Sequence, residues 1–467
     1  MRNPLTWSTP RLVRALTGGC LAALALAGVV TATILGGARD GTDVIGHQAA
    51  PQVVRSADLY FALNDMDAQA ANLLLFGADP DFATVRRQSL DTYDQRRAQV
   101  ATDLQRVAEA TADDPAGRTA VQTVLSELGR YEALVARAQL LDDQAHAPAG
   151  RPPADALTAY RAATDLLRQR LLPAADSVTA ANSATVERRF TAERGDLGSG
   201  FWWILGTGVL ALGALAGLQR LLAVRYQRLV NVPLAAATLL TVGGLVTGVV
   251  LLNRADHNLV VAKHDAYDSV IALSRARATA YDLNADESRF LSDPARAAAY
   301  EQSYFDKTQT FARVNGTTLP GYPAALAPLA DRHRADHTSV GFGGFLGDEL
   351  RNITFAGEQD AAERVLATFQ DYQRDDRKIR DLNAQGRLKE AIAYDTGTAA
   401  GESNADFARL AAALDDVQAV NQNAMDKAVA TTDDDLDTIT ATMGAVLLAA
   451  ALALTAVGVR SRLREYA

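Results

Sequence analysis

The residue types that can perform chemistry are few in this sequence, and two histidines form the most suggestive pair. His333 and His337 are four residues apart, which would place both imidazoles on one helix face, as two ligands of one metal ion require. Glycine and proline surround the segment and weaken the case for a helix, and no zinc-protease pattern links the pair. We therefore favour solvated loop histidines and predict neither a metal site nor a cofactor.

A second motif with a possible catalytic meaning is the tripeptide "DTG" at Asp395–Gly397. Aspartic-protease chemistry needs a second carboxylate in a matching turn, so that the pair shares one proton, and the sequence holds no second "DTG". We interpret the tripeptide as a helix break. The single cysteine, Cys20, lies in an apolar run, where a reactive thiolate is disfavoured. We therefore predict that the protein is not an enzyme.

The glycine-rich stretch "GFGGFLG" occupies residues 341–347. No strand pattern precedes it, which argues against a phosphate-binding loop. It lies in a predicted long loop, residues 315–347, with no counterpart in the first half of the chain. The stretch is either a mobile loop tip or a docking loop for another protein, with Gly341, Phe342 and Phe345 as the candidate contacts.

Three short basic segments stand out against a formal net charge of −9, which gives no general footprint for nucleic acid. One lies at the start of the chain. The other two contain the candidate contacts for a cytoplasmic partner or for lipid: Arg220, Arg225, Arg228, Arg460, Arg462 and Arg464. Short basic segments beside membrane spans stay in the cytoplasm, so all three should lie on that side.

The elements that must position these residues are four uncharged apolar runs, each long enough to cross a bilayer. No span contains Asp, Glu, Lys or Arg, which argues against an ion pathway. The predicted order is a cytoplasmic leader (1–14), a first span (15–38), an extracytoplasmic bundle (39–200), a second span (201–219), a basic cytoplasmic hairpin (220–228), a third span (229–252), a second extracytoplasmic bundle (253–437), a fourth span (438–459) and a basic cytoplasmic tail (460–467).

The two halves of the chain resemble each other. "FALND" at 61–65 aligns with "YDLNA" at 281–285, and "VLSELGRY" at 124–131 aligns with "VLATFQDY" at 365–372. Apolar residues recur at helical spacing in both halves, and aromatic content is only 6%. We predict an all-α fold that duplicates one unit, a transmembrane helix, an extracytoplasmic four-helix bundle and a second transmembrane helix, with four transmembrane helices in total.

Small and polar residues suggest how these helices pack. Asn182 and Asn421 occupy matching positions in the two halves, where a buried asparagine would fix bundle register. Small residues at fourfold spacing let membrane helices approach closely. The candidates for packing between spans are Gly213, Gly217, Gly244, Gly248, Ala441, Ala445 and Ala449.

Two levels of family resemblance follow from four stretches of sequence. Residues 386–424 resemble the helical-bundle sensor domains of bacterial chemoreceptors and histidine kinases. Three stretches are similar to an actinobacterial family of four-span membrane proteins: "LYFALNDMDAQAANLLLFGADP" at 59–80, "AYRAATDLLRQRLLPAADSV" at 159–178 and "YQRLVNVPLAAAT" at 226–238. That resemblance implies a link between an extracytoplasmic solute-binding lipoprotein and the cytoplasmic serine/threonine kinase G, in a pathway that senses glutamate and aspartate.

We therefore expect a multi-pass plasma-membrane protein that relays an extracytoplasmic signal to a cytoplasmic kinase through small helix shifts. Its expected partners are a solute-binding lipoprotein, a serine/threonine kinase and membrane lipid, with no nucleic acid. Two alternatives stay open: a direct sensor that binds a small molecule between the bundles, and a structural envelope protein.

Overall fold

The chain folds as an all-α protein, as the sequence predicts. The computed structural model describes residues 9–110, 115–226 and 231–463. Within those ranges the only β contact outside helices is an isolated antiparallel bridge between Arg313 and Gly343.

The described residues of the first half form six α-helices and three shorter helical turns. The α-helices are α1 (Thr9–Asp43), α2 (Ala50–Phe76), α3 (Ala83–Ala110), α4 (Pro115–Ala145), α5 (Ala154–Leu166) and α6 (Leu172–Tyr226). The helical turns are π-helical at Val44–Ala49 and Leu167–Leu171 and 3₁₀ at Pro80–Phe82.

The second half begins with α7 and contains nine α-helices. They are α7 (Val232–Val260), α8 (Asp268–Ser292), α9 (Ala297–Phe311), α10 (Tyr322–Ala335), α11 (Gly344–Arg351), α12 (Glu358–Ala384), α13 (Leu388–Thr396), α14 (Ser403–Asp435) and α15 (Thr438–Leu463). A π-helical turn covers Val261–Tyr267, and 3₁₀ turns cover Pro294–Arg296 and Leu319–Gly321.

The order of these elements repeats between the halves, in agreement with a tandem duplication. A long helix is followed by a π-helical turn at Val44–Ala49 and again at Val261–Tyr267. The next helix ends before a 3₁₀ turn that starts with proline, at Pro80–Phe82 and at Pro294–Arg296. Proline suits the first position of such a turn because its fixed φ matches and its missing N–H has no partner there.

Four helical stretches of the described chain are long and apolar enough to cross a membrane, by length and composition: 11–76, 154–224, 232–292 and 403–460. These lengths and compositions fit a multi-pass membrane protein. The basic segment after the second apolar run is not an open hairpin as far as Tyr226, because α6 continues through it. Alanine, leucine and arginine favour the helix throughout that segment.

The described chain divides into two compact units. The apolar unit consists of the chain up to residue 48, residues 186–263 and the chain from residue 426 onward. The bundle unit consists of residues 49–185 and 264–425. Both halves of the duplication therefore contribute to each unit.

In the bundle unit, α2 and α8, the equivalent helices of the two halves, pack against each other. The Phe61 and Tyr281 rings, aligned by the "FALND" and "YDLNA" match, meet edge to face with centroids 4.7 Å apart. Around this pair, one core forms among α2–α6 and another among α8–α12 and α14. Aromatic pairs of this geometry add about 0.5–1.5 kcal/mol beyond their buried area.

The predicted long loop at 315–347 is wrong, because the segment contains α10 and the start of α11. Pro323 lies in the first turn of α10, where proline favours the start of a helix, and the helix also accommodates Pro328 in its interior. The bridge between Arg313 and Gly343 holds the end of the segment against α9. Phe342 is buried in the second core, so its ring is not displayed for docking. Gly341 is exposed and Phe345 is partly buried.

In the apolar unit, the predicted small-residue contacts hold at one position only. A Cβ on Gly248 would lie 3.1 Å from Thr31 Cγ2, whereas Gly213, Gly217 and Gly244 have no neighbour within 4 Å. The alanines of the fourth span are also exposed: Ala441, Ala445 and Ala449. Close approach instead involves Gly208, which faces Leu245. Gly208 is not among the residues predicted from the sequence.

Candidate functional site

The centre of the bundle unit is unusually polar for its burial. Every residue from Leu283 to Ser292 of α8 is buried, including Asp286, Glu287 and Arg289. The facing stretch of α2, from Phe61 to Phe76, is buried at every position but Gln69. Buried charges are costly unless they are paired and hydrogen-bonded. The partners of these side chains therefore define the candidate site.

Arg289 of α8 forms an ion pair with Asp67 of α2, and both side chains are shielded from solvent. The distance from Arg289 Nη2 to Asp67 Oδ2 is 2.5 Å, and the two side chains are 1% and 0% exposed. Arg289 Nε also donates to the Tyr160 hydroxyl at 3.0 Å. Thr164 adds a hydroxyl donor to Asp67 at 3.0 Å. The pair links residues 222 positions apart, one from each half of the chain.

The same arginine extends the pair into a larger ionic network. Arg289 Nη1 lies 2.5 Å from Asp286 Oδ1 and 2.9 Å from Asp282 Oδ1. Lys307 of α9 and Arg168, in the π-helical turn before α6, also bind both of these aspartates. Three carboxylates, of Asp67, Asp282 and Asp286, thus face three cations. We call these six residues the ionic network, and its charges balance.

The network holds its carboxylates in the charged state. Burial alone would raise the pKa of Asp282, but Lys307, Arg168 and Arg289 hold that pKa well below its usual range. The same three cations lower the pKa of Asp286 against the effect of burial. Burial disfavours the charge on Arg289, yet Tyr160 and the surrounding aspartates raise its pKa. The surrounding cations therefore favour the charged carboxylates of Asp282 and Asp286.

A duplicated hydrogen bond lies at the centre of each half. The Tyr131 hydroxyl donates to Asp67 Oδ1 at 3.1 Å, and the Tyr372 hydroxyl donates to Glu287 Oε2 at 2.8 Å. The two sequence matches that indicate the repeat align Tyr131 with Tyr372 and, two residues beyond "FALND", Asp67 with Glu287. The symmetry does not extend to Arg289, because Gln69 occupies the equivalent position in the first half.

Glu287 accordingly belongs to a second cluster, with Asp376 and Asp395, that has three carboxylates and one arginine, Arg380. Burial raises the pKa of Glu287 well above its usual range, and Asp395 and Asp376 raise it further. Burial likewise raises the pKa of Asp395 to about 8. Ser288 donates to both Asp395 and Asn72 of α2. In this acidic cluster burial raises the pKa of all three carboxyl groups, and Arg380 is paired with Asp376, whereas in the ionic network each carboxylate faces a cation.

A cleft of about 680 Å³ lies between the two halves of the bundle unit, beside the ionic network. Its lining includes Arg168, Asp282 and Lys307 of the network, together with Tyr60 and Arg275. Arg275 is paired with Asp176 at 3.0 Å. The cleft is large enough for an amino acid. Its three lining cations, Arg168, Lys307 and Arg275, each already have a carboxylate partner.

The arrangement couples the two halves through charge. A sliding movement of α2 against α8 would separate Asp67 from Arg289, and Asp67 would then keep hydroxyl donors but lose its cation, while Arg289 would keep Asp282 and Asp286 of its own helix. Breaking a buried ion pair in this way costs about 3–5 kcal/mol. The network therefore favours a few distinct positions of α2 relative to α8 over a continuous range of positions. Interfaces with this property amplify small shifts into defined states.

Comparison with known proteins adds one match. Residues 41–191 match the family model of the actinobacterial sensor domain. The matched region covers about a third of the chain and includes Asp67, Tyr131, Tyr160 and Arg168. No curated protein and no solved structure matches the chain. The match and the four apolar helices support a membrane sensor or signalling protein.

The residues chosen from sequence lie away from this network. Asn182 donates to Ser56 Oγ of α2 at 2.8 Å, and Asn421 donates to Glu358 Oε1 of α12 at 2.8 Å. Both asparagines are buried and join neighbouring helices, as a role in register requires.

The structure describes only part of the two basic segments. Arg220 and Arg460 are exposed on α6 and α15. Arg225 and Arg462 fall on the same two helices, and Arg228 and Arg464 lie outside the described residues. The described part of the second basic segment is therefore the last part of the long helix α6, where Arg220 is exposed.

Sequence reasoning missed the ionic network, although the sequence carries a sign of it. Asp65, Asp67, Asp286 and Arg289 lie within or just beyond the two repeat motifs. A stretch that is charged and yet repeated in both halves is a candidate for buried pairing. Which charge pairs with which depends on the packing of α2 against α8, and that is not visible in one sequence.

Proposed function

We propose that this protein is a membrane signal-relay protein. The bundle unit receives an extracytoplasmic signal, from a solute-binding lipoprotein loaded with an acidic amino acid such as glutamate or aspartate. The basic segments pass the signal to a cytoplasmic serine/threonine kinase. No step of this relay requires catalysis by the chain itself.

The observation that carries the proposal is the buried ionic network between α2 and α8. A network of six charges is a poor way to gain stability, because well-packed apolar residues often do as well or better. Such a network can give a helix pair a defined register and limit the number of other registers that the pair can adopt. Its position at the junction of the two halves suits an input that pulls or tilts one half against the other.

The helices offer a route for such a movement. Arg168, a member of the network, precedes α6, which runs without interruption from Leu172 to Tyr226. A shift of about 1–2 Å, typical of interface helix movements, would travel along that helix to its arginine-rich end. Arg220 and its neighbours would then present a changed surface to the kinase. The same arginines also attract anionic lipid, at about 1 kcal/mol for each basic residue near the surface.

The proposal is tested by co-purification from mild-detergent membranes, with and without added glutamate or aspartate. We expect a solute-binding lipoprotein and a serine/threonine kinase to be recovered, with kinase recovery dependent on the amino acid. Replacing Arg220, Arg225 and Arg228 with alanine should abolish kinase recovery but not lipoprotein recovery. Absence of both partners under every ligand condition would overturn the relay.

A matched control separates a specific contact from a general loss of positive charge. The triple variant Arg87→Ala, Arg118→Ala and Arg137→Ala removes three exposed arginines from the bundle unit. It changes the net charge by the same amount and should leave kinase recovery unchanged. Equal losses in both triple variants would show that charge alone controls the recovery.

A second candidate function is direct sensing, and the cleft between the halves favours it. An amino acid carries a carboxylate and an ammonium group, which could insert between Lys307 or Arg168 and Asp282. Binding would then loosen the ionic network directly, without a protein partner.

Isothermal titration of the purified full-length protein with glutamate or aspartate distinguishes the two functions. Direct sensing predicts saturable heat in the absence of any second protein, and a weaker response in Tyr60→Ala, which alters the cleft wall without touching a network charge. The relay predicts no binding until the loaded lipoprotein is added.

A further inference from the structure

The end of α10 contains a histidine whose burial is unexplained by the fold. His333 is fully buried, and neither of its ring nitrogens has a hydrogen-bond partner. The sequence-based expectation of a solvated loop histidine is therefore wrong for this residue. A buried imidazole normally finds a partner for at least its donor nitrogen. The nearest charged group is Glu363 of α12, whose Oε1 lies 3.7 Å from His333 Nε2.

Two further side chains converge on the same point. His337 Nδ1, in the turn after α10, lies 2.5 Å from Glu363 Oε1. Ligand atoms of His333, His337 and Glu363 all fall within 4.8 Å of one another. His337 is exposed and Glu363 is partly buried, so the group reaches from the protein interior to its surface and is open to an incoming ion.

The chemistry of these three groups suits a zinc ion. Two imidazoles and one carboxylate form a recurrent set of three protein ligands, which leaves a fourth position for water. Tetrahedral bonds of about 2.0–2.1 Å would place ligand atoms roughly 3.3 Å apart. The distance between His333 and Glu363 is close to that value. The contact between His337 and Glu363 would open slightly as the ion replaces their hydrogen bond.

An outer partner is also present. Gln359, one turn before Glu363 on α12, donates to Glu363 Oε1. Residues that orient a ligating carboxylate commonly accompany zinc sites. The spacing of four residues brings the two histidines together, as a metal site requires. The third ligand, Glu363, lies 26 residues after His337, on α12.

We propose that His333, His337 and Glu363 form a Zn²⁺-binding site that joins the end of α10 to α12 in the bundle unit. The ion supplies the missing partner of His333 and fixes the turn that follows α10. This inference is independent of the relay function proposed above.

The test uses the full-length protein in detergent, purified with an affinity tag that contains no histidine and stripped with EDTA. Titration with ZnCl₂, monitored by calorimetry, should show one ion bound with a Kd in the micromolar range or tighter. His337→Ala and Glu363→Gln each remove one ligand without opening the core. We expect each to weaken binding by at least about tenfold, since even outer-partner substitutions cost 10–100-fold.

A second group of possible ligands provides the control. Asp43, His47 and Asp433 also come together, in the apolar unit, but none of the three is buried, so this group contains no counterpart of the buried His333. His47→Ala should leave the zinc affinity unchanged. The proposal is overturned if the wild-type protein binds no Zn²⁺ below about 1 mM, if either site variant keeps full affinity, or if His47→Ala removes the bound ion. Far-UV circular dichroism of each variant verifies folding.

Discussion

Replacing Arg289 with methionine should strongly destabilise the bundle unit. The substitution fills a similar volume but leaves three buried carboxylates facing two cations, because Asp67 loses the guanidinium at 2.5 Å. Breaking a buried pair by removing one partner costs about 3–5 kcal/mol. For a domain of this size, each kcal/mol lowers the Tm by about 2 °C or more. We therefore expect the Tm of Arg289→Met to fall by about 6–10 °C.

The decisive comparison is with the double variant Asp67→Asn plus Arg289→Met. It leaves two carboxylates, Asp282 and Asp286, facing two cations, so the balance of charge returns. We expect its free energy of unfolding to exceed that of Arg289→Met by about 2 kcal/mol or more, within the range of coupling energies between contacting residues.

The assay is thermal unfolding of the full-length protein in detergent, followed by intrinsic fluorescence. A matched variant nearer the surface, Arg296→Met, removes a partly exposed arginine that lies 3.6 Å from Asp165 and should cost no more than about 1 kcal/mol. The reasoning is refuted if Arg289→Met resembles Arg296→Met, or if the double variant is as unstable as the sum of its single changes.

Three further predictions concern the hydrogen bonds, the acidic cluster and the second core. Tyr131→Phe should cost about 1.5–3 kcal/mol, because its acceptor Asp67 is ion-paired with Arg289, whereas Tyr372→Phe should cost about 0.5–1.5 kcal/mol, because burial raises the pKa of its acceptor Glu287 and disfavours the carboxylate charge; equal losses in thermal unfolding would contradict this difference between the two acceptors. Burial raises the pKa of Asp395 to about 8, so its contribution to stability is complete below the unfolded pKa of about 4 and is lost as the pH rises to about 8. The Tm of the wild type should therefore fall between about pH 5 and about pH 8, and Asp395→Asn should make that fall smaller. The same dependence of Tm on pH in both proteins would argue against a buried proton on Asp395. Phe342→Ala should cost about 3–5 kcal/mol, as a large core deletion does, and a cost below about 1 kcal/mol would restore the docking-loop interpretation.

The fold follows largely from features that one sequence displays. Uncharged runs of about 20 residues identify the apolar helices, and helical periodicity with few aromatic residues indicates bundles. The short repeat matches correctly relate α2 to α8, since Phe61 and Tyr281 contact each other.

Local composition was misleading where tertiary contacts decide the outcome. The segment from 315 to 347 contains several glycines and prolines, but α10 begins with Pro323 in its first turn and the Arg313–Gly343 bridge orders the end of the segment. Phe342 is buried for the same reason. The contacts of the apolar helices were also mispredicted, because a small-residue stripe does not specify which neighbour it faces.

The candidate site depends on pairing across the duplication and could not be derived from spacing. Arg289 and Asp67 are brought together only when α2 packs against α8. The same holds for His333 and Glu363, which belong to α10 and α12. Sequence spacing detects ligands on one helix, such as His333 and His337, but a partner on another helix requires the fold.

The most direct test of the relay uses Arg289→Lys, which keeps the positive charge but loses the forked contacts to Asp67, Asp286 and Asp282. Lysine cannot reproduce several such bonds at once. The measurement is the amount of kinase recovered with the protein, with and without added glutamate, from membranes that contain equal amounts of wild type or variant. The relay predicts glutamate-dependent recovery with the wild type and glutamate-independent recovery with Arg289→Lys. The same dependence on glutamate in both proteins would show that the ionic network does not transmit the signal.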